Sequence, residues 1–247
     1  MYDLIIIGAG IAGMTAAIYA RRAGKSVLVL ESRVQGGQII NTFSIENYPG
    51  LPGISGADLM DKIYHQMNNL GAEIRFEGVI SIEEGFLIKT DEAEYSCHDI
   101  ILAVGTEPRK LSKKQAADAG TRPISYCATC DGALYKGKPV VVVGSGNTAK
   151  HEIKYLEGIC SKVYHIHHDD PIPADAAAVF VAIGRVPETQ FLEGFVELDK
   201  EGYIVAGEDC RTSRERVFAA GDCRTKKVRQ LVTAAADGAA AVNEIIR

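Results

Sequence analysis

The sequence predicts an α/β fold of the Rossmann-like kind, with parallel strands and crossover helices, and three observations carry that reading. An apolar run, a glycine turn and a helical pattern fill residues 2–31; the same order of signals restarts at Val140; a short apolar strand ending in Gly221-Asp222 precedes a last helical stretch. Strands that alternate with helices imply a parallel sheet, whose doubly covered strands read as near-continuous apolar runs.

In the first unit, Tyr2-Asp-Leu-Ile-Ile-Ile is the strand, Gly8-x-Gly10-x-x-Gly13 the turn, and a helix follows through Arg22. Val27 to Leu30 is the next strand and ends at Glu31. A βαβ unit of about thirty residues with an acid about twenty residues after the glycines satisfies the context of a dinucleotide fingerprint. Gly8 permits the tight turn, Gly10 lets the backbone approach a pyrophosphate, and Gly13 lets helix and strand pack closely. The helix N-terminus offers N–H groups to phosphate, and Glu31 accepts from ribose hydroxyls while its charge repels a 2′-phosphate. The bland alternative is a set of glycines that only turns a corner.

The second unit starts with Val140 to Val143, turns at Gly144-Ser-Gly146-Asn-Thr-Ala149, runs as helix to about Gly158 and continues as a strand from Lys162 to His167. Asp169 to Ala178 then holds two prolines before the next strand, Val179 to Ile183. That stretch is too short for a crossover helix, which takes a dozen or more residues with its loops. The unit is therefore expected to be truncated. At the C-terminal end, Val217 to Asp222 places a carboxylate at the carboxyl edge of a sheet, where doubly wound folds bind ligands, and a helix is expected from about Leu231 to Ile246.

Composition narrows the function classes. With 27 basic against 32 acidic residues the net charge is −5, which gives no positive field for nucleic acid. The uncharged stretch Leu4 to Ala20 lacks a basic leader and is crossed by three glycines, so neither a membrane span nor a signal peptide is expected, and the chain is placed in the cytoplasm. There disulfides are usually catalytic and transient, so the Cys127-Ala-Thr-Cys130 pair points to redox chemistry or to a metal. Zinc needs four ligands, and Cys97, Cys160, Cys210 and Cys223 form no second pair; burial as small apolar residues is their default, with Cys223 singled out because it follows Asp222. Strand alternation splits His165 and His167 from His168, so the cluster with Asp169 and Asp170 reads as a solvated strand end. No metal is expected.

Gly8-x-Gly10-x-x-Gly13, Gly36-Gly37-Gln38, Ile45-Glu46-Asn47-Tyr48-Pro49-Gly50, Cys127-Ala-Thr-Cys130-Asp131-Gly132, Ala220-Gly221-Asp222 and Arg229-Gln230 occur in this order over nearly the whole chain. The ordered set resembles the low-molecular-weight flavoprotein thioredoxin reductases. The resemblance implies an FAD-binding domain in two segments, 1–112 and 199–247, around an inserted CxxC-bearing domain, 113–198, degenerate with respect to NADPH. It places the FAD pyrophosphate at Gly8, Gly10 and Gly13 and the ribose on Glu31. By the same resemblance Gly37, Gln38 and Asn47 line the flavin side, the Val79 backbone faces the adenine, Gly105 sits near the pyrophosphate, Asp222 holds the ribitol, and Arg229 with Gln230 face the flavin N1/O2 edge. Cys130 then exchanges electrons with the flavin, Cys127 attacks the substrate disulfide, and Asp131 manages the thiol proton, although Asp131 also reads as a plain helix N-cap. Thioredoxin or a thioredoxin-like protein is the implied substrate, and a homodimer the implied assembly.

The resemblance breaks at one place. The family pairs the NADPH 2′-phosphate with a His-Arg-Arg stretch, where this chain has His167, His168 and Asp169. Gly144, Gly146 and Ala149 are then expected to be a retained turn that holds no cofactor. The chain is most similar to the ferredoxin-dependent, pyridine-nucleotide-independent branch, with Arg224, Lys226, Lys227 and Arg229, or Arg109, Lys110, Lys113 and Lys114, as basic docking surface for an acidic donor. An NAD(P)H-dependent enzyme, a flavin-binding redox sensor and an oxidase are the alternatives.

Overall fold

The computed structural model describes residues 1–247, and its first elements have the bounds expected from sequence: β1 (Tyr2–Ile7), α1 (Ile11–Arg22) and β2 (Val27–Leu30). The last four residues of β1 and all of β2 are buried, as parallel strands covered on both faces must be. A 3-10 turn (Gly37–Asn41) follows, then α2 (Gly56–Asn69), which starts where the Ser55 hydroxyl accepts from the Asp58 N–H at 3.1 Å. β3 (Glu73–Arg75) pairs with β2, and a meander of β4 (Val79–Ile82), β5 (Leu87–Thr90) and β6 (Glu94–Leu102) comes next. The first half of β6 pairs antiparallel with β5; its second half runs parallel to β1, with Leu102 opposite Ile7. β7 (Thr106–Pro108) leads onward.

The next unit contains α3 (Lys113–Ala119), β8 (Ile124–Ser125), α4 (Ala128–Asp131), β9 (Pro139–Val143), α5 (Asn147–Glu157), β10 (Lys162–Ile166) and β11 (Val179–Val181). Its four parallel strands lie in the order β10-β9-β11-β8. Val140, Val142 and Phe180 pack with Ala149 and Leu156 of α5 on one face; Val141, Val143 and Val181 pack with Ala119 on the other. Between Ile166 and Val179 no helix forms, in agreement with the sequence reading. The crossover is an extended loop that inserts Ile172 and Ala176 into the second face. Such a loop lacks the internal hydrogen bonds of a helix, and two side chains near α3 replace them. Arg122 donates to the Ala174 and Ala176 carbonyls at 2.9 and 3.0 Å, and Gln115 Nε2 donates to the His167 and Asp170 carbonyls at 3.0 and 3.1 Å.

β12 (Arg185–Pro187) pairs with β7, and the chain returns through irregular segments to β13 (Val217–Ala219), parallel to β6, and α6 (Leu231–Ile245), packed against α1. The chain divides into two compact units at 107/108 and 186/187, against 112/113 and 198/199 in the sequence reading. No helix is long and apolar enough to cross a membrane.

Candidate active site

In the first unit the glycine turn is shaped by contacts that no side chain could share. Gly8 has φ +107°, and a Cβ there would lie 2.4 Å from the Ala103 carbonyl oxygen; one on Gly13 would lie 1.9 Å from the Gly8 oxygen. A Cβ on Gly10 would meet nothing within 4 Å, so the backbone there stays open to an approaching group. Beside the turn is a cavity of about 250 Å³ whose lining includes Gly8, Glu31, Arg33, Val79, Val104 and Glu188. Glu31 is held by backbone donors on both oxygens: Ala9 N–H at 2.8 Å and Arg33 N–H at 3.0 Å. Its carboxylate is thereby fixed at the carboxyl end of β2.

The other expected residues fall in the same unit but not all in that cavity. The Gly36 N–H donates to the Ala9 carbonyl at 2.8 Å, which brings the Gly37-Gln38 corner to the glycine turn. Asn47 Nδ2 donates to Gln230 Oε1 at 3.0 Å, joining two positions 183 residues apart. Gly105, with φ +71°, turns the chain after β6, and its carbonyl accepts from the Glu188 N–H at 3.5 Å. Arg229 donates to the Asp222 and Arg224 carbonyls at 3.3 and 3.2 Å and lies 4.1 Å over the Tyr203 ring.

One expectation is overturned: Arg224 and Lys226 are not docking surface. Their side chains are 2% and 5% exposed and both bind Asp237 of α6, Arg224 through two contacts at 2.7 and 2.9 Å and Lys226 at 2.8 Å. Two cations two positions apart in sequence satisfy one buried carboxylate. The Gly221 N–H, at 2.9 Å, completes the set. Burial would raise the Asp237 pKa, but the hydrogen bonds from Arg224, Lys226 and Gly221 outweigh it and hold the carboxyl below its ordinary value. Lys227 remains exposed, and Arg109, Lys110, Lys113 and Lys114 are exposed in the second unit. Cys223 is sealed, and burial pushes its thiol up to about 11; burial likewise raises Cys97 and Cys210 to about 12. None of the three is a thiolate near neutrality.

In the second unit Cys127, the residue that precedes α4, and Cys130 in its single turn form a disulfide with sulfurs 2.11 Å apart. The Cys130 and Asp131 N–H groups both donate to the Cys127 carbonyl, at 3.2 and 3.1 Å. Asp131 caps no following helix; its Oδ2 accepts from the Ser125 hydroxyl at 2.6 Å, and the Ser125 oxygen accepts from the Cys127 N–H at 3.2 Å. Ser125 thus links Asp131 to the cysteine pair, a role without a sequence signal, since the residue stands outside the CxxC motif. Arg33, which bonds Glu107 and Glu188 across 74 and 155 residues, is likewise illegible in sequence.

The second glycine turn repeats the first. A Cβ on Gly144 would lie 2.3 Å from the Ala182 oxygen, and one on Gly146 would meet nothing within 4 Å. The difference lies after β10, where Asp170 Oδ2 accepts from the His167 N–H at 2.8 Å, Asp169 takes φ +73°, and His165 Nε2 lies 2.7 Å from the Gly144 oxygen. The histidines and aspartates do not converge as metal ligands.

The family described as pyridine nucleotide-disulphide oxidoreductase matches residues 2–175 and 168–238. A thioredoxin reductase from Bacillus subtilis is 35% identical over an aligned length of 296, covering 99% of this chain and 94% of that protein. The chain is as similar, at 35%, to a 34.2 kDa protein in a rubredoxin operon of Clostridium pasteurianum, over 97% of this chain and 94% of that one. The chain belongs to the flavoprotein thioredoxin reductase family. Among solved structures, the thioredoxin reductase of Streptococcus pyogenes matches with a TM-score of 0.91 at 32% identity, over 99% of this chain and 97% of that one. The enzyme of Giardia duodenalis matches at 0.90 and 32%, with the same coverage. An aligned length of 296 against 247 residues leaves about 50 positions of the Bacillus enzyme without a counterpart here. This thioredoxin reductase relative is a disulfide oxidoreductase of a family that binds FAD. The residues present fit that group: the open backbone at Gly10, the closed corners at Gly8 and Gly13, and the fixed Glu31 carboxylate make a cradle that a side chain at Gly10 would fill.

Proposed function

We propose that this flavoprotein reduces a thioredoxin-like disulfide with electrons from reduced ferredoxin rather than from NAD(P)H. The observation that carries the reading is the crossover between β10 and β11: it has no helix, and its first turn closes on itself through His167 and Asp170, whose carbonyls Gln115 engages. A dinucleotide site of this fold class needs a surface after the second strand and a group to meet the ribose. Here that edge is occupied by the protein's own hydrogen bonds, with no arginine for a 2′-phosphate. An NAD(P)H-dependent enzyme is the second reading, favoured by the open backbone at Gly146.

Gly8, Gly10, Gly13 and Glu31 would hold the FAD pyrophosphate and ribose; the Val79 backbone would face the adenine, and Gly105 would stand near the pyrophosphate. Gly37, Gln38 and Asn47 would line the flavin side, Asp222 the ribitol, and Arg229 with Gln230 the N1/O2 edge. Bound FAD supplies the means to take electrons singly from an iron–sulfur protein and to pass them on as a pair. Once the Cys127–Cys130 disulfide has taken up two electrons, the Cys127 thiolate attacks one sulfur of the partner disulfide, that S–S bond breaks, and the departing sulfur takes a proton. The Cys130 thiolate then attacks Cys127 Sγ, which restores the internal disulfide and releases the partner's second thiol. Asp131, tethered through Ser125, would hold a proton during these exchanges. Ferredoxin at about −400 mV and thioredoxin at about −270 mV leave roughly 130 mV, about 6 kcal/mol for two electrons. The exposed Arg109, Lys110, Lys113 and Lys114 are the better basic surface for an acidic donor, since Arg224 and Lys226 are buried.

An anaerobic titration of the FAD-loaded protein tests the reading. Reduced ferredoxin is expected to bleach the flavin and to support repeated thioredoxin reduction, with NADH and NADPH inactive at millimolar concentration. Rapid bleaching by either nucleotide, or a flavin left oxidised by ferredoxin, refutes it. Sedimentation of the same sample tests the homodimer that the family resemblance implies.

A further inference from the structure

Glu152, on the second turn of α5, directs its carboxyl inward at α4. Its Oε2 is sealed from solvent and has no hydrogen-bond partner. The other influence on the carboxyl is the N–H of Ala128, a fully buried residue that lies between the two cysteines in sequence. An oxygen stripped of water without a replacement donor favours the neutral acid. Burial accordingly pushes the Glu152 carboxyl up to about 7, against the opposing pulls of the Ala128 N–H and of Arg185. The charged group that acts on it is Arg185 of β12; α4, which carries Cys130 and Asp131 and is preceded by Cys127, packs against α5. Asp131 is already engaged by the Ser125 hydroxyl. Packing alone does not call for an acid here, because Ala149, Ile153 and Leu156 of the same helix supply the apolar contacts.

We propose that Glu152 holds a proton beside the Cys127–Cys130 disulfide and shares it with the thiols once the bond is reduced. Reduction breaks the S–S bond and places two electrons on the two sulfurs, which need two protons to become thiols. One proton comes from solvent. The other is distributed between a sulfur and Glu152, as thiolate with carboxylic acid or as thiol with carboxylate, and reoxidation returns it to the carboxyl. In this scheme Glu152 acts on the resident cysteine pair, through its proton and through its charge. The inference rests on Cys127 and Cys130 being the redox pair.

The test is the pH profile of iodoacetamide alkylation of the dithiothreitol-reduced holoprotein, read by mass spectrometry at Cys127 and Cys130, for the wild type and Glu152→Gln. Above about pH 8 the wild-type carboxylate holds the thiols protonated, so the glutamine variant is expected to react roughly three- to tenfold faster; below about pH 6 the two rates converge, because acid and amide are then both neutral. Superimposed profiles, or profiles that differ by a constant factor at every pH, overturn the proposal. A second readout needs no variant: infrared difference spectra of the wild type, oxidised minus reduced near pH 7, are expected to show a glutamate carboxyl band, and its absence also overturns it. Failure of either cysteine to become alkylatable on reduction overturns the redox-pair reading and the inference with it, an outcome distinct from matching profiles.

Discussion

Asp237→Asn isolates the most concentrated electrostatic feature of the chain. The side chain is buried and accepts from Arg224 Nε and Nη2, Lys226 Nζ and the Gly221 N–H at 2.9, 2.7, 2.8 and 2.9 Å. The amide keeps the shape but loses the charge, and two cations with side chains 2% and 5% exposed are then left without a counter-charge. Removal of one partner of a buried ion pair costs about 3–5 kcal/mol, and with two cations stranded the upper end applies. That is a third or more of the roughly 5–15 kcal/mol of a typical domain. The chain has no tryptophan, so urea unfolding followed by far-ultraviolet circular dichroism is the assay. The sign with pH follows from the depressed folded-state pKa: the wild type gains stability above the ordinary carboxylate range and loses it as pH falls through the folded value, whereas the variant lacks that dependence. An Asp237→Asn midpoint equivalent to less than about 1 kcal/mol of loss at pH 7 refutes the reasoning, and the Arg224 and Lys226 contacts would then be worth no more than surface pairs.

Glycine substitutions separate fold from ligand. Gly8→Ala, with its Cβ 2.4 Å from a backbone oxygen at φ +107°, is expected to cost about 3 kcal/mol or more in urea unfolding, whereas Gly10→Ala leaves unfolding nearly unchanged and weakens FAD binding at least about tenfold, read by flavin release on dilution. Glu152→Gln flattens the stability profile: a carboxyl raised from 4.5 to about 7 binds its proton more tightly in the folded state, so wild-type stability falls as pH rises between those values, by about 2 kcal/mol after allowance for partial exposure, and unfolding at pH 5 and pH 7.5 measures it. Arg122→Ala strips the crossover loop of its donors at Ala174 and Ala176, and faster amide hydrogen exchange confined to residues 167–178 and their neighbours is expected.

What sequence could reveal here divides by the range of the interaction. β1, α1 and β2 were legible because strand, turn and helix each leave a local period, and the missing crossover helix was legible because two prolines and a short span exclude it. Arg224 and Lys226 were misread as surface because charge in a sequence says nothing about a partner on another element; Asp237 stands thirteen positions on from Arg224, in a helix whose own pattern is plain. The Ser125 link to Asp131 depends on β8 ending beside α4, and the Asn47–Gln230 contact on α6 returning to the first unit. In each case the missing information was tertiary.

The two glycine turns show where selectivity for a nucleotide has to reside. A Cβ on Gly8 or Gly144 would lie 2.4 or 2.3 Å from the carbonyl oxygen of Ala103 or Ala182, and one on Gly10 or Gly146 would meet nothing within 4 Å. Two turns alike in backbone geometry cannot by themselves decide which one holds a cofactor. The strands that follow do differ. β2 ends in Glu31, whose two oxygens each accept one backbone N–H and keep further lone pairs for a ribose. β10 ends in a turn that spends Asp170 on His167 and engages the carbonyls of both with Gln115. A phosphate could meet either turn through N–H groups and helix dipole, but the residue directly after the strand is a carboxylate, Glu31, after β2 and a histidine, His167, after β10. If the proposed ferredoxin reading holds, an arginine at position 168 or 169 would not by itself make the second unit a nucleotide site: the loop would first have to give up the hydrogen bonds to Gln115 and Arg122 that stand in for a crossover helix.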